Sequence, residues 1–152
     1  GDTLRRVPDV SGQGDIAERL ADVRARYPGA EIFTFGDSRA LCDELLALVR
    51  SGTKTATCGA RRDFDAGEPL PQVGRRDIAL DWDGAPALVI ESVEVTERRF
   101  RDVDTDFALA EGEDDSLAGW QAGHRRYFER KGGWTPDMWL VCERFRLVED
   151  LT

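Results

Sequence analysis

Of the 21 basic residues in this 152-residue chain, 19 are arginine, and the lysines are Lys54 and Lys131. Lysine can lose its proton when desolvated, whereas arginine effectively cannot. A chain that uses arginine wherever a charge suffices keeps lysine where an amine is needed. Lys54 stands beside Thr55, Thr57 and Cys58, two hydroxyls and a thiol within reach of one amine, just past Gly52. Lys131 ends a helical stretch and reads more simply as a partner for the negative end of the helix dipole.

The other chemistry-bearing candidates each have a plainer reading. Seven carboxylates lie between residues 102 and 115 with no basic residue among them. An acidic helix start explains most of them, but one is expected to face a cleft. Asp102-x-Asp104-x-Asp106 with Glu113 at the twelfth position mimics a calcium loop, yet Phe107 stands where that loop requires glycine. Gly12-Gln13-Gly14 before Asp15-Ile16 mimics a dinucleotide fingerprint without the buried strand that should precede it. His124, the single histidine, shares a helical face with Trp120, which suits a hydrogen-bonded core position as well as a cleft. The arginine pairs 61–62, 75–76, 98–99 and 125–126 could line a phosphate-tracking groove or simply cover solvated faces. Trp134 and Trp139 flank a proline loop and are the tryptophans best placed to stack a base.

These residues need elements to hold them. Residues 1–14 read as a loose arm, and Asp15 opens a helix with Ile16, Leu20, Val23 and Tyr27 on one face, stopped by Pro28-Gly29. Ile32–Phe35 is a short strand. Arg39 to Arg50 is a helix turned inward through Leu41, Leu45, Leu48 and Val49. Lys54 to Cys58 reads as a strand and Arg61 to Gly74 as a long loop. Asp77–Trp82 and Ala87–Thr96 form a hairpin through Asp83-Gly84. A short helical turn at 107–110, a helix capped by Ser116 and a final strand from Trp139 to Val148 complete the chain. Strands outnumber what the helices could interleave, which favours α+β over a doubly wound sheet.

Composition bounds the function. A net charge of −9 counts against strong non-specific binding to duplex nucleic acid, which phosphate neutralisation normally supplies. One histidine and three scattered cysteines give no zinc ligand set, no disulfide framework and no expectation of a metal or other cofactor. No apolar run approaches the ~20 residues that span a bilayer, and the expected location is the cytoplasm.

Several blocks, in order, resemble the ASCH domain family. They are Phe35-Gly36-Asp37-Ser38, Leu45-Leu46, Ser51-Gly52-Thr53-Lys54-Thr55-Ala56-Thr57, Gly67-Glu68-Pro69-Leu70-Pro71 and Phe107-Ala108-x-Ala110-Glu111-Gly112-Glu113. Pro136-Asp137-Met138 and Val141-Cys142-Glu143-Arg144-Phe145 follow. The resemblance implies a small PUA-like mixed β-barrel flanked by helices, an ASCH domain over 32–152 behind a helix at 15–31. It also implies RNA or a modified pyrimidine nucleoside as partner. One branch of the family removes the acyl group from N4-acetylcytidine, and its lysine, threonine and glutamate fall on Lys54, Thr57 and Glu113. On that basis Thr57 attacks, Lys54 deprotonates or orients it, and Glu113 shuttles protons or grips the base. Thr55, Cys58, Arg61, His124 and Trp139 are expected around the substrate. On a regular strand Lys54 and Thr57 would point to opposite faces, so the chain must still be turning at residues 54–55. The rival readings are a ribonuclease for single-stranded RNA, assisted by a divalent ion, and an RNA-binding module without catalysis. The N-terminal helix could pack on the barrel or support a homodimer.

Overall fold

The computed structural model describes residues 10–152. Helix α1 runs from Val10 to Arg26, followed by strand β1 (Ile32–Thr34), helix α2 (Arg39–Arg50) and strand β2 (Ala56–Ala60). A short helix α3 (Arg61–Asp65) leads to strands β3 (Arg76–Leu80) and β4 (Pro86–Arg99). Helices α4 (Thr105–Ala110) and α5 (Leu117–Arg130) precede the last strand, β5 (Trp139–Asp150). The five strands make one mixed half-barrel sheet in the order β1-β3-β4-β5-β2, with β1 parallel to β3 and every other pairing antiparallel. This is the α+β, PUA-like architecture expected.

Side-chain caps define the helix starts. Ser38 accepts from the Leu41 amide at 3.1 Å, Asp104 from that of Phe107 at 2.9 Å, and Ser116 from that of Gly119 at 3.0 Å. Each satisfies an amide that has no partner within its helix. Helix α1 begins earlier than the sequence suggests, so residues 10–14 are helix and not arm, while residues 1–9 lie outside the described part. Asp15 does not cap this helix. It forms an i,i+4 pair with Arg19 at 3.2 Å, inside a helix that its glycines weaken without breaking. The expected loop at 61–74 opens as helix α3, with Arg61 and Asp65 again paired at i,i+4, 3.3 Å apart. The β3–β4 hairpin turns at Gly84, where Asp81 accepts from the amides of Asp83 and Ala85, each at 2.9 Å.

Two main cores lie on opposite sides of the sheet. Cys42, Leu45, Leu46 and Val49 of α2 pack with Phe35, Leu88, Ile90 and Phe145. Phe107, Trp120 and Phe128 from α4 and α5 pack with Ala56, Phe100, Leu140 and Cys142. A smaller cluster of Val23, Ile78 and Val89 seats α1. The three cysteines are free thiols. No helix among the described residues is long and apolar enough to cross a membrane.

Candidate active site

A cavity of about 650 Å³ opens between α2, β2, α3, the 111–114 turn and α5, a size that suits a small organic ligand. Lys54 lies at its floor, 1% exposed. Its Nζ donates to the Glu111 carbonyl at 3.3 Å, Glu111 Oε1 at 3.3 Å and Glu113 Oε2 at 3.2 Å, which uses all three ammonium donors. Local sequence explains the approach. Gly112 has φ of +79°, and a Cβ there would come within 2.7 Å of the Thr53 carbonyl oxygen and 2.9 Å of Lys54 Cα. Only glycine lets the Glu111-Gly112-Glu113 turn lie against the lysine's own backbone.

Glu111, also 1% exposed, is the hub. Its Oε2 accepts from Trp120 Nε1 at 2.8 Å, and its Oε1 lies 3.4 Å from His124 Nε2. His124 Nδ1 lies 3.0 Å from the Trp120 carbonyl oxygen, and the two rings stack with centroids 4.3 Å apart. Burial opposes the Glu111 charge, but Lys54, His124 and Trp120 override it and bring the carboxyl down to about 2. Burial likewise opposes charge on His124, and Glu111 outweighs it, so the imidazole titrates above its usual value. Cys58 Sγ completes a group with Glu111 and His124 whose ligand atoms lie within 4.8 Å of one another. A metal ion there would meet the Lys54 ammonium already on Glu111. It would also need a thiolate from Cys58, whose pKa burial and Glu111 push well up. The donor set fits an ion-paired lysine better than a dication.

The structure gathers some of the sequence candidates and leaves others outside. Lys54, Thr57, Cys58, Glu113 and His124 all line the cavity. Lys54 and Thr57 reach the same space because β2 starts only at Ala56, so Lys54 is still in the turn after α2. Thr55, Arg61 and Trp139 do not line it. Thr55 is a backbone anchor, its amide on the Ala110 carbonyl at 2.7 Å and its carbonyl accepting from the Phe145 amide at 3.0 Å. Arg61 is exposed and tied to Asp65 and Glu97. Trp139 is exposed under the Arg99 guanidinium, 4.7 Å from the ring centroid, and Trp134 is held beneath Arg125 at 4.2 Å. The sequence reading missed Glu111, although it lies two residues from Glu113 in the same acidic turn. Phe64 closes another wall. Its ring lies where a Cβ on Gly59 would come within 3.0 Å of it.

A half-barrel with helices on both faces and a polar cavity at one edge defines the PUA-like class of small domains. The ASCH domain family profile matches residues 31–149, and the chain belongs to that family. An ASCH domain structure from Lactobacillus crispatus JV V101 is 30% identical, with 95% of this chain and 97% of that one covered and a TM-score of 0.73. A protein from Enterococcus faecalis V583 is also 30% identical, over 92% and 91% of the two chains, with a TM-score of 0.79. The ASCH structure from Zymomonas mobilis shares 13% identity over 80% and 70%, with a TM-score of 0.51, and shows the fold alone. No match is found among functionally curated proteins.

Proposed function

We propose that this ASCH domain hydrolyses the N-acyl amide of a modified pyrimidine nucleoside, with N4-acylated cytidine as the type of substrate. The observation that carries this reading is Lys54, buried between two glutamates at the floor of the cavity that Thr57 also lines. The Thr57 hydroxyl attacks the amide carbonyl carbon and gives its proton to Glu113, which keeps 21% of its side chain exposed. The C–N bond then breaks, Glu113 passes the proton to the leaving exocyclic nitrogen, and the acyl group remains as an ester on Thr57. Water hydrolyses that ester, releasing the carboxylic acid and restoring the hydroxyl. Lys54 fixes both carboxylates and supplies positive charge near the developing oxyanion. Glu111 is the counter-charge that keeps Lys54 in place.

An RNA-related substrate accords with the family resemblance, and the cavity favours its nucleoside-sized form. Among the described residues, nine carboxylates line the space against four lysine and arginine side chains, a field that repels a phosphate backbone. This weighs against the single-stranded-RNA nuclease reading. The test is ultraviolet-monitored hydrolysis of N4-acetylcytidine by wild type and by Glu113→Gln. Turnover by wild type, reduced at least a hundredfold in a variant with unchanged melting, supports the assignment. Full turnover by Glu113→Gln overturns the proton-shuttle role, and an inert, folded wild type overturns the substrate.

A further inference from the structure

Among the described residues five polar or charged side chains are buried: Lys54, Asp77, Ser92, Glu111 and Glu143. Four have complete partners. Lys54 and Glu111 neutralise one another as described. Asp77 accepts from Arg75 Nε at 2.8 Å, from Arg75 Nη2 at 3.1 Å and from the Glu31 amide at 2.9 Å. The Ser92 hydroxyl donates to Glu143 Oε2. Glu143 is the exception. It is 9% exposed, forms no ion pair among the described residues, and its second oxygen takes no hydrogen bond from them. Buried carboxylates are paired or hydrogen-bonded in settled structure, so an open oxygen at a cavity wall leaves a place for a ligand's donor.

The position of Glu143 identifies that donor. It lies directly opposite Thr57 in the β2–β5 register, so the two side chains project from the same face of neighbouring strands. Both line the cavity, together with Arg75 and Asp77. A substrate whose acyl carbon sits at the Thr57 hydroxyl therefore brings its nitrogen-bearing part within reach of Glu143. We infer that Glu143, oriented by Ser92, is the base-recognition residue of this site and accepts the exocyclic N–H of a pyrimidine. The inference rests on the hydrolase reading for the position of the scissile bond. Burial raises the Glu143 pKa against the Ser92 hydrogen bond, with Asp77 adding to the rise. An incoming N–H donor reverses that pressure, so ligand binding and ionisation reinforce each other.

Glu143→Gln keeps the shape of the side chain and removes its charge. Two measurements test the role: calorimetric affinity for cytidine, and steady-state hydrolysis of N4-acetylcytidine beside its N4-methylated form, which lacks the N–H. Losing a hydrogen bond to a charged group corresponds to about a tenfold or greater loss of affinity. The expected result is a rise of that size in Kd for cytidine and in KM, a smaller change in kcat, and loss of the wild type's preference for the N–H substrate. Unchanged Kd, KM and preference in a folded variant overturn the proposal, as does a wild type that binds no cytidine. A wild type that binds cytidine without hydrolysing N4-acetylcytidine removes the hydrolase reading, and the effect of Glu143→Gln on Kd still decides the recognition role. If Glu143→Gln does not fold, Ser92→Ala is read the same way, with a smaller expected rise in Kd.

Discussion

Within the cavity Lys54 gives every donor it has to Glu111 and Glu113, while Glu143 of β5 takes a hydrogen bond only from the Ser92 hydroxyl among the described residues. The two buried glutamates accordingly titrate in opposite directions. Glu111 falls to about 2 because cations and donors outweigh its burial, and Glu143 rises because burial is not matched. The contrast separates a group that belongs to the standing architecture from one held ready for a visitor. The Lys54–Glu111 pair has its polar partners without a ligand. Glu143 keeps one oxygen without a donor from the described residues.

The largest way to break this contrast is Lys54→Ala. It leaves Glu111 buried without its counter-charge, and the expected loss is about 3–5 kcal/mol of stability in urea unfolding. Loss of turnover in that variant would therefore report folding as much as chemistry. The double replacement Lys54→Met with Glu111→Leu, which removes both charges, should recover much of the loss. A double variant no more stable than Lys54→Ala would mean that the ion pair is not what holds this part of the site together.

Gly112→Ala tests the turn that brings the glutamates in. A side chain at φ of +79°, aimed at the Thr53 carbonyl, should cost about 1–3 kcal/mol and weaken turnover. Wild-type melting and activity in this variant would show that the turn has slack.

The smallest expected effect concerns pH. The folded-state pKa of His124 is raised, so its contribution to stability is complete below the unfolded value of about 6.5 and is lost as pH rises through the folded value. Thermal melts from pH 6 upward should show a shallow decline from this source, absent in His124→Gln. The opposite slope, or the same slope in the variant, would remove His124 from the Glu111 network.

Helices α2 and α5 were legible in the sequence because their information is local. Ser38 and Ser116 cap where the apolar spacing begins, and Leu45, Val49, Trp120 and Phe128 are buried as that spacing requires. Lys54 was visible through the scarcity of lysine, and Thr57 and Glu113 through family resemblance. Glu111 was harder. Two glutamates two residues apart in a turn carry no local mark of which one is buried, and the choice is made by Trp120 and His124 from a different helix. Glu143 did leave a trace. Met138-Trp139-Leu140-Val141-Cys142 is an unbroken apolar run, the pattern of a strand covered on both faces, and a carboxylate directly after it is anomalous. Arg61 and Trp139 lie outside the cavity, and nothing local reveals that Glu97 and Arg99 of β4 hold them on the outer surface.

The pairing of β2 with β5 also sets the order of events when the chain is made. Lys54 immediately precedes β2, and β2 finds its hydrogen-bonding partner only in the strand that begins at Trp139. Between them lie β3, β4 and the turn carrying Glu111, so the pocket closes over a long, entropically costly loop. During synthesis that closure waits until β5 has left the ribosome. Until then Lys54 and Glu111 are ordinary hydrated charges, and Glu143 has yet to emerge. The site is among the last features of the molecule to form, and a protein truncated before β5 would lack it altogether.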